Sequence, residues 1–272
     1  MNLTGKRALV TGAGHGLGRA IAREFASAGA EVIVTDLDSA RVAAVVVEIQ
    51  RSGGSATGYS LDVTAVDVRA IRDKVVADGG PIDVLVNNAG VVFGGAFVDV
   101  PFDRHLKTVA VNLSGVLAVT HAFLPGMLAR PEARVVNIVS ASAITALPWA
   151  ASYAATKWAV LGFSDSLREE LRLAGHRHVG VAAICPSYVA TGLFDGARPP
   201  RLTRLLTPEA VARAVRRTTE RGTEFVLLPW TVRLLYTLVG VLPRPFYRWL
   251  CRALGVSTSM SEWRGHSAET RL

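Results

Sequence analysis

The feature that most constrains this chain is an alternation. Apolar, β-branched runs take turns with stretches of helical period along the first two-thirds of the sequence. The runs are Arg7 to Thr11, Glu31 to Thr35, Ala56 to Leu61, Ile82 to Val86, Arg134 to Val139 and Val179 to Cys185, with Phe225 to Leu228 as a seventh. The segments between them, such as "GRAIAREFASAG" and "SARVAAVVVEIQRSGG", close on glycine as helices commonly do. Strands joined by helical crossovers make a parallel sheet that is covered on both sides. We therefore expect an α/β fold: a doubly wound seven-stranded parallel sheet with helices on both faces and a C-terminal helical extension. No linker, repeat or low-complexity stretch divides the 272 residues. The expected unit is a domain over residues 1–228, with 229–272 as an amphipathic lid of the same domain. Ligands of such sheets bind beyond the carboxyl ends of the strands.

Those ends are where the chemistry gathers. The first strand runs into "TGAGHGLGRA", where Gly12, Gly16 and Gly18 have the spacing G-x-x-x-G-x-G. Glycines at a strand-to-helix turn allow a tight bend and close backbone approach, and a helix N-terminus favours anions, so the turn suits a pyrophosphate. A purely structural glycine turn is the alternative, and the position between a first strand and a helix counts against it. The second strand ends at Asp36. A carboxylate there can accept hydrogen bonds from both hydroxyls of an adenosine ribose and repels a 2′-phosphate. Leu37 offers no compensating charge, His15 is weakly basic, and Arg41 lies down the next helix. NAD is favoured over NADP, and a helix-capping role for Asp36 is compatible with that.

The stretch "SYAATKWAV" places Tyr153 and Lys157 four apart, on one face of a helix. That spacing alone is common by chance. The rest of the chain gives it meaning. Asp62 and Val63 follow the third strand, "NNAG" (Asn87 to Gly90) ends the fourth, Asn112 stands in "VNLSG", and Ser140 ends the fifth. With the glycine turn and the Tyr153/Lys157 pair, these motifs resemble the classical short-chain dehydrogenase/reductase family, in one order from residue 4 to about 191. The resemblance implies a Rossmann fold and a set of roles. Tyr153 is the proton-transfer group, Lys157 binds the nicotinamide ribose and lowers the tyrosine pKa, Ser140 holds the substrate oxygen, and Asn112 holds a water beside Lys157. Gly12, Gly16, Leu17 and Gly18 take the pyrophosphate side, Asp62 and Val63 the adenine, and Asn88 and Gly90 the adenosine side.

The physical need for the pair is plain. A free tyrosine has a pKa near 10, so acting as a base near neutrality requires a shift of about three units, roughly 4 kcal/mol. One ammonium at about 4 Å supplies roughly that much at an effective dielectric of about 20. Ser142 is a rival for the role of Ser140. After the sixth strand, "CPSYVATG" is similar to the family's P-G-x-V-x-T segment, which implies nicotinamide contacts for Pro186, Val189 and Thr191. Ser187 stands where glycine is usual, and a positive φ there would strain it.

The substrate wall is expected from Val92 and Phe93, Leu147 and Trp149, and Leu193 and Phe194. These are apolar, so a hydrophobic alcohol or ketone fits. The C-terminal third, through "LGVSTSMSEWRG", resembles the membrane-associated retinol, hydroxysteroid and long-chain-alcohol dehydrogenase branch. Residues 1–200 hold 18 Lys+Arg against 17 Asp+Glu, whereas 201–272 hold 12 against 5. The basic excess belongs to the tail, so a nucleic-acid partner for the body loses support. Within it, "PWTVRLLYTLVGVLPRPFYRWLCRALG" reads as two short helices, Trp230 to Leu242 and Pro245 to Leu254, too interrupted to span a bilayer and suited to an anionic lipid surface or a lid. The first ten residues carry no signal-like apolar run. Cys185 and Cys251 have no redox or ligand spacing, and the six histidines suggest no metal.

The expected protein is an NAD-dependent oxidoreductase that interconverts a retinoid, steroid or long-chain alcohol and its carbonyl. It is expected to be cytoplasmic, peripheral to a membrane through residues 229–255, and a homodimer or homotetramer by analogy with the family. The rivals are an NADP-linked 3-oxoacyl thioester reductase and a non-catalytic NAD-binding module.

Overall fold

The computed structural model describes residues 1–65, 68–201 and 203–264, so the last residues of the expected extension lie outside the described residues. Seven strands form one parallel sheet: β1 (Arg7–Thr11), β2 (Glu31–Asp36), β3 (Ser55–Ser60), β4 (Val84–Asn87), β5 (Ala133–Ile138), β6 (Val179–Pro186) and β7 (Phe225–Leu228). Their order is β3-β2-β1-β4-β5-β6-β7. The order reverses between β1 and β4, and a crevice opens at that switch point. The doubly wound sheet expected from the alternation is the sheet observed. β4 starts later than its apolar run because Ile82 joins the core while pairing with β1 begins at Ala8 and Val84.

Strand periodicity splits the core into two. Val10 and Val34 face one side with Ile21, Phe25 and Ile184; Leu9 and Ile33 face the other with Leu85, Phe123 and Met127. Helices α1 (Gly16–Ser27), α2 (Ser39–Arg51) and α7 (Pro208–Arg221) cover the first face. The second is covered by α3 (Val68–Gly79), α5 (Gly115–Leu128) and α6 (Ala151–Leu173). α4 (Phe102–Val109) runs into α5 through a π-helical turn, Ala110–Ser114. The combined helix is apolar and long enough to cross a membrane by length and composition, yet its α5 half packs on β4 and β5.

Beyond β7 come α8 (Trp230–Val241) and α9 (Arg244–Ala253), close to the two short helices expected. Pro243 separates them, because it cannot donate to a continuing helix and instead precedes the first turn of the next.

Candidate active site

The crevice is built from backbone. Gly12 (φ 62°) and Gly16 (φ 51°) adopt the left-handed conformation that lets the chain turn from β1 into α1. A Cβ on Gly18 would stand 2.1 Å from the Gly12 carbonyl oxygen, so α1 lies directly against the turn. Asn88 locks the corner: its side-chain amide donates to the carbonyls of Thr11 (2.9 Å) and Gly12 (3.1 Å). Gly12, Gly16, Leu17, Gly18, Asn88 and Gly90 line one side, and Tyr153, Lys157, Pro186, Val189 and Thr191 line the other. The serine at 187 is unstrained. Among the described non-glycine residues only Trp149 has a positive φ.

Asp36 closes the adenosine end. It accepts from the backbone N–H of Gly14 (2.9 Å) and of Asp38 (3.2 Å), and His15 Nδ1 stands 3.8 Å away, an ion-pair rather than a hydrogen-bond distance. Burial works against its charge, yet the His15 ring and these two amides hold the carboxyl below its ordinary range. The cap of α2 is Asp38, which accepts from Ala40 and Arg41, so Asp36 is not needed for that. Arg41 is closer than its place in the helix suggested. A Cβ on Gly14 would lie 2.8 Å from Arg41 Cβ and 2.9 Å from Asp36 Cγ, although the Arg41 guanidinium pairs with Asp38 at 3.2 Å. Leu61 N–H bonds the Asp36 carbonyl at 2.8 Å, which sets Asp62 and Val63 beside it. Neither lines the crevice. Asp62 accepts from Thr64, and Val63 packs on Gly115.

α6 carries Tyr153 and Lys157 inward, and both are buried. Lys157 Nζ donates to the Ile138 carbonyl at 2.9 Å and lies 5.6 Å from the Tyr153 ring centre. Burial pulls the lysine down to about 8. Burial also pushes the Tyr153 phenol above its ordinary range, partly countered by a hydrogen bond with Ser140. The Lys157 ammonium thus commits one of its protons to the Ile138 carbonyl, and burial is the largest influence on the phenol. Ser140 Oγ accepts from Ser142 N–H at 3.1 Å, which leaves its proton for the phenol or a bound oxygen.

Asn112 sits in the π turn. It accepts from Val91 N–H (2.8 Å) and donates to the Val91 carbonyl (2.8 Å) and Thr156 Oγ1 (3.3 Å). Both amide protons are thus taken, and the side chain serves to pin the segment after "NNAG" onto α6. A Cβ on Gly90 would lie 3.4 Å from Asn112 Oδ1 and 3.8 Å from Lys157 Nζ, so the two flank the same glycine.

A second cavity of about 270 Å³ leads away from Ser140 and Phe194, which also line the crevice. Of the expected wall, Leu147 and Phe194 line it. Leu193 faces the crevice, and Val92 is buried with Tyr153, Tyr188 and Met260. Phe93 turns to Arg104, whose guanidinium lies 5.2 Å over its ring, and Trp149 is 38 % exposed. The opposite wall is the expected lid, but its residues, Trp230, Leu234 and Leu238 of α8 with Leu250 and Leu254 at α9, were not named from the sequence. No motif marks such positions, since an apolar residue on a helix reads equally as core, lid or lipid face. Among the described residues, no three His, Cys, Asp or Glu side chains gather to hold a metal.

A family model described as short chain dehydrogenase matches residues 6–201. The chain belongs to that family. Among curated relatives, a probable oxidoreductase EphD of Mycobacterium tuberculosis is 40% identical over 186 residues, 68% of this chain but only 31% of that protein's length. Epidermal retinol dehydrogenase 2 of Mus musculus is 30% identical over 247 residues, 89% of this chain and 80% of its own. A short-chain dehydrogenase/reductase of Burkholderia phymatum, solved in complex with NAD, superposes with a TM-score of 0.80 at 29% identity, covering 89% of this chain and 96% of that one. A putative gluconate 5-dehydrogenase of Beutenbergia cavernae with bound NADP gives 0.72 at 32% identity, covering 83% and 96%. Both nicotinamide cofactors therefore occur among this chain's structural neighbours. Its glycine turn and the carboxylate at the end of β2 fit a dinucleotide, and its α8 and α9 lie outside the matched span.

Proposed function

We propose that this dehydrogenase uses NAD to interconvert a hydrophobic alcohol, of retinoid, steroid or long-chain type, and its carbonyl. The observation that carries the reading is the junction of the crevice with an apolar cavity at Ser140, beside Tyr153. The name of the retinol dehydrogenase relative supports the substrate class. Asp36, a buried carboxylate, supports NAD through the ribose diol, with Asp62 and Val63 toward the adenine and Pro186, Val189 and Thr191 at the nicotinamide end. When bound, the dinucleotide would supply the hydride acceptor and a positive charge in the crevice that Tyr153 lines. Ser140 donates to the substrate oxygen while Tyr153 Oη takes the hydroxyl proton; the carbinol hydride leaves with its electron pair, and the carbon–oxygen double bond forms. Lys157 adds its charge on the phenolate side, and Asn112 keeps Val91 and α6 in register. Reduction runs the same steps backward.

Several wider assignments belong to the same reading. Residues 1–228 form the cofactor and catalytic body, and the segment from 229 is its lid. Exposed Phe102, Leu106, Val109, Leu117 and Trp158 on α4, α5 and α6 support a homo-oligomer, which sedimentation of a Leu106→Glu variant as a monomer would check. Two buried free cysteines support a reducing compartment such as the cytoplasm, and the outer face of α8 and α9 supports contact with a membrane surface. The central test is a panel of lipophilic alcohols with NAD, comparing wild type with Tyr153→Phe. The variant should lose about 10²- to 10⁴-fold in turnover. Equal turnover by the two proteins would remove Tyr153 from the chemistry.

A further inference from the structure

Beyond Leu254, which lines the cavity, the segment "GVSTSMSEWRG" has been given no catalytic part. It nevertheless ends at the reacting centre. After α9 the chain turns at Gly255 (φ 77°), makes a short 3₁₀ turn over Val256–Thr258, and returns across the carboxyl end of the sheet. Ser259 is 2% exposed and Met260 1%, burial more typical of a core strand than of a tail. Met260 belongs to one cluster with Val92, Tyr153 and Tyr188, and Trp263 packs against that cluster with Leu193 and Phe194.

Polar ties hold this strap at several points. Tyr188 Oη donates to Ser259 Oγ at 2.7 Å, and Ser259 Oγ donates to the Val256 carbonyl at 2.8 Å. Arg198 N–H bonds the Ser259 carbonyl at 2.8 Å, and Arg264 N–H bonds the Asp195 carbonyl at 2.9 Å. Trp263 Nε1 donates to the Leu193 carbonyl at 3.3 Å.

The body is also shaped to admit the strap. A Cβ on Gly94 would lie 2.7 Å from the Trp263 ring, and one on Gly196 would lie 2.2 Å from the Glu262 carbonyl oxygen. These glycines stand on two different loops, after β4 and after β6, so each loop leaves out a side chain where the strap passes. On the second of these loops, Phe194 meets the Tyr153 ring edge-on at 5.6 Å and the Tyr188 ring at 5.2 Å. Packing of this kind locates the phenol laterally, which its hydrogen bond with Ser140 alone does not.

We propose that Trp263 is a positioning residue for hydride transfer: its indole bridges the Gly94 and Leu193 loops, holds Phe194 against Tyr153, and so fixes the reacting end of the cavity. The proposal rests on the dehydrogenase reading above. It gives the strap a task in catalysis that no contact with the cofactor crevice would reveal, since Trp263 lines neither cavity. A displacement of about 1 Å at a reacting group can cost on the order of 100-fold in rate, so the anchor should show in kcat.

The test uses the full chain with three substitutions, Trp263→Ala, Trp263→Phe and Gly94→Ala. Trp263→Ala should lower kcat by about 100-fold at saturating alcohol, with NAD affinity by calorimetry unchanged. Trp263→Phe should recover most of the loss by refilling the gap. Gly94→Ala should reproduce the loss with the indole still present, because the new methyl displaces it. Hydrogen exchange at residues 193–198, measured without any substrate, should rise in Trp263→Ala. An unchanged kcat overturns the proposal, and so does a loss of kcat that tracks lost melting temperature and lost NAD affinity in every variant. Should no alcohol be turned over by wild type, the substrate reading fails separately. The exchange experiment then decides: faster exchange at 193–198 upholds the anchor, and unchanged exchange overturns it.

Discussion

The crevice and the cavity meet at Ser140 and Phe194 but are made of different material. The crevice is shaped by glycine dihedrals, strand tips and backbone amides: Gly12 and Gly16 at positive φ, Asn88 on two carbonyls, Asp36 on two N–H groups. The cavity is shaped by aliphatic and aromatic side chains from α8 and α9. A pyrophosphate and a ribose have fixed hydrogen-bonding geometry, so few residue types satisfy them. An apolar ligand requires only volume and burial, which many side chains supply. One region therefore tolerates little change and the other a great deal.

The largest effect that tests this contrast is at Asp36. Losing two ribose hydrogen bonds should cost NAD roughly 2 to 4 kcal/mol, a factor of about 30 to 1,000 in affinity. The double variant Asp36→Ala, Leu37→Arg removes the carboxylate and adds a bidentate phosphate partner, so preference should move toward NADP. Arg41 borders Gly14 as Asp36 does, but its guanidinium pairs with Asp38 at 3.2 Å, so the arginine introduced at position 37 supplies the phosphate partner. Titration of both cofactors checks it. An unchanged NAD:NADP ratio would mean that Asp36 does not touch the ribose, and the crevice would be less particular than its backbone suggests.

The same contrast explains what could be read from the sequence. β1 and β7 match their apolar runs residue for residue: β1 is buried along its whole length, where composition has little freedom, and β7, half-buried at the sheet edge, is bounded by Glu224 and Pro229. The glycine turn was legible for a related reason: only glycine can occupy Gly12 and Gly16 without strain. Asp36 was legible as a strand-end carboxylate, but the approach of Arg41 was not, since it depends on how α2 packs over Gly14. The direction of Lys157 was equally hidden. Four-residue spacing fixes the helix face, and only the position of β5 shows that the ammonium reaches Ile138. Phe93 and Trp149 were sensible wall candidates by position, yet loop conformation turned one to Arg104 and the other toward solvent.

A smaller effect concerns pH and the buried lysine. Burial pulls Lys157 down to about 8 and pushes Tyr153 up, so the two titrations oppose each other in alcohol oxidation. Raising the pH favours the phenolate that accepts the proton, but through about 8 it also discharges the ammonium that supports that phenolate. The profile of kcat/KM for NAD, which reads groups of the free protein, should therefore rise and then level off above about 8, where the gain in phenolate and the loss of ammonium cancel. Lys157→Arg keeps its charge throughout this range. It should be slower overall, because a guanidinium does not reproduce the single bond to Ile138, but its profile should go on rising past about 8. The same levelling in both proteins would assign it to another group.

The smallest effect tests the far side of the cavity wall. α8 and α9 turn Leu234, Leu238 and Leu250 toward the cavity, while Val241, Phe246 and Trp249 lie outside its lining and are exposed. Phe246 and Trp249 stack at 5.4 Å, and no Asp or Glu stands between Glu224 and Glu262. Among the described residues, Arg233, Arg244, Arg248 and Arg252 have no carboxylate within ion-pair distance. Aromatic side chains flanked by unpaired arginines suit an anionic lipid surface, from which an apolar substrate would also enter. Deleting the segment is not a clean test, because the strap that covers Tyr153 would be lost with it. Single substitutions avoid this. Each arginine near such a surface contributes about 1 kcal/mol, so Arg248→Gln should weaken co-sedimentation with anionic vesicles about fivefold at low salt. At about 1 M salt, where the screening length falls to roughly 3 Å, wild type and Arg248→Gln should bind alike. Trp249→Ser should weaken binding at both salt concentrations, since it removes apolar area instead of charge. Wild-type protein that stays in the supernatant at low salt would make the outer face a protein contact, and the cavity wall would then be a lid within an oligomer.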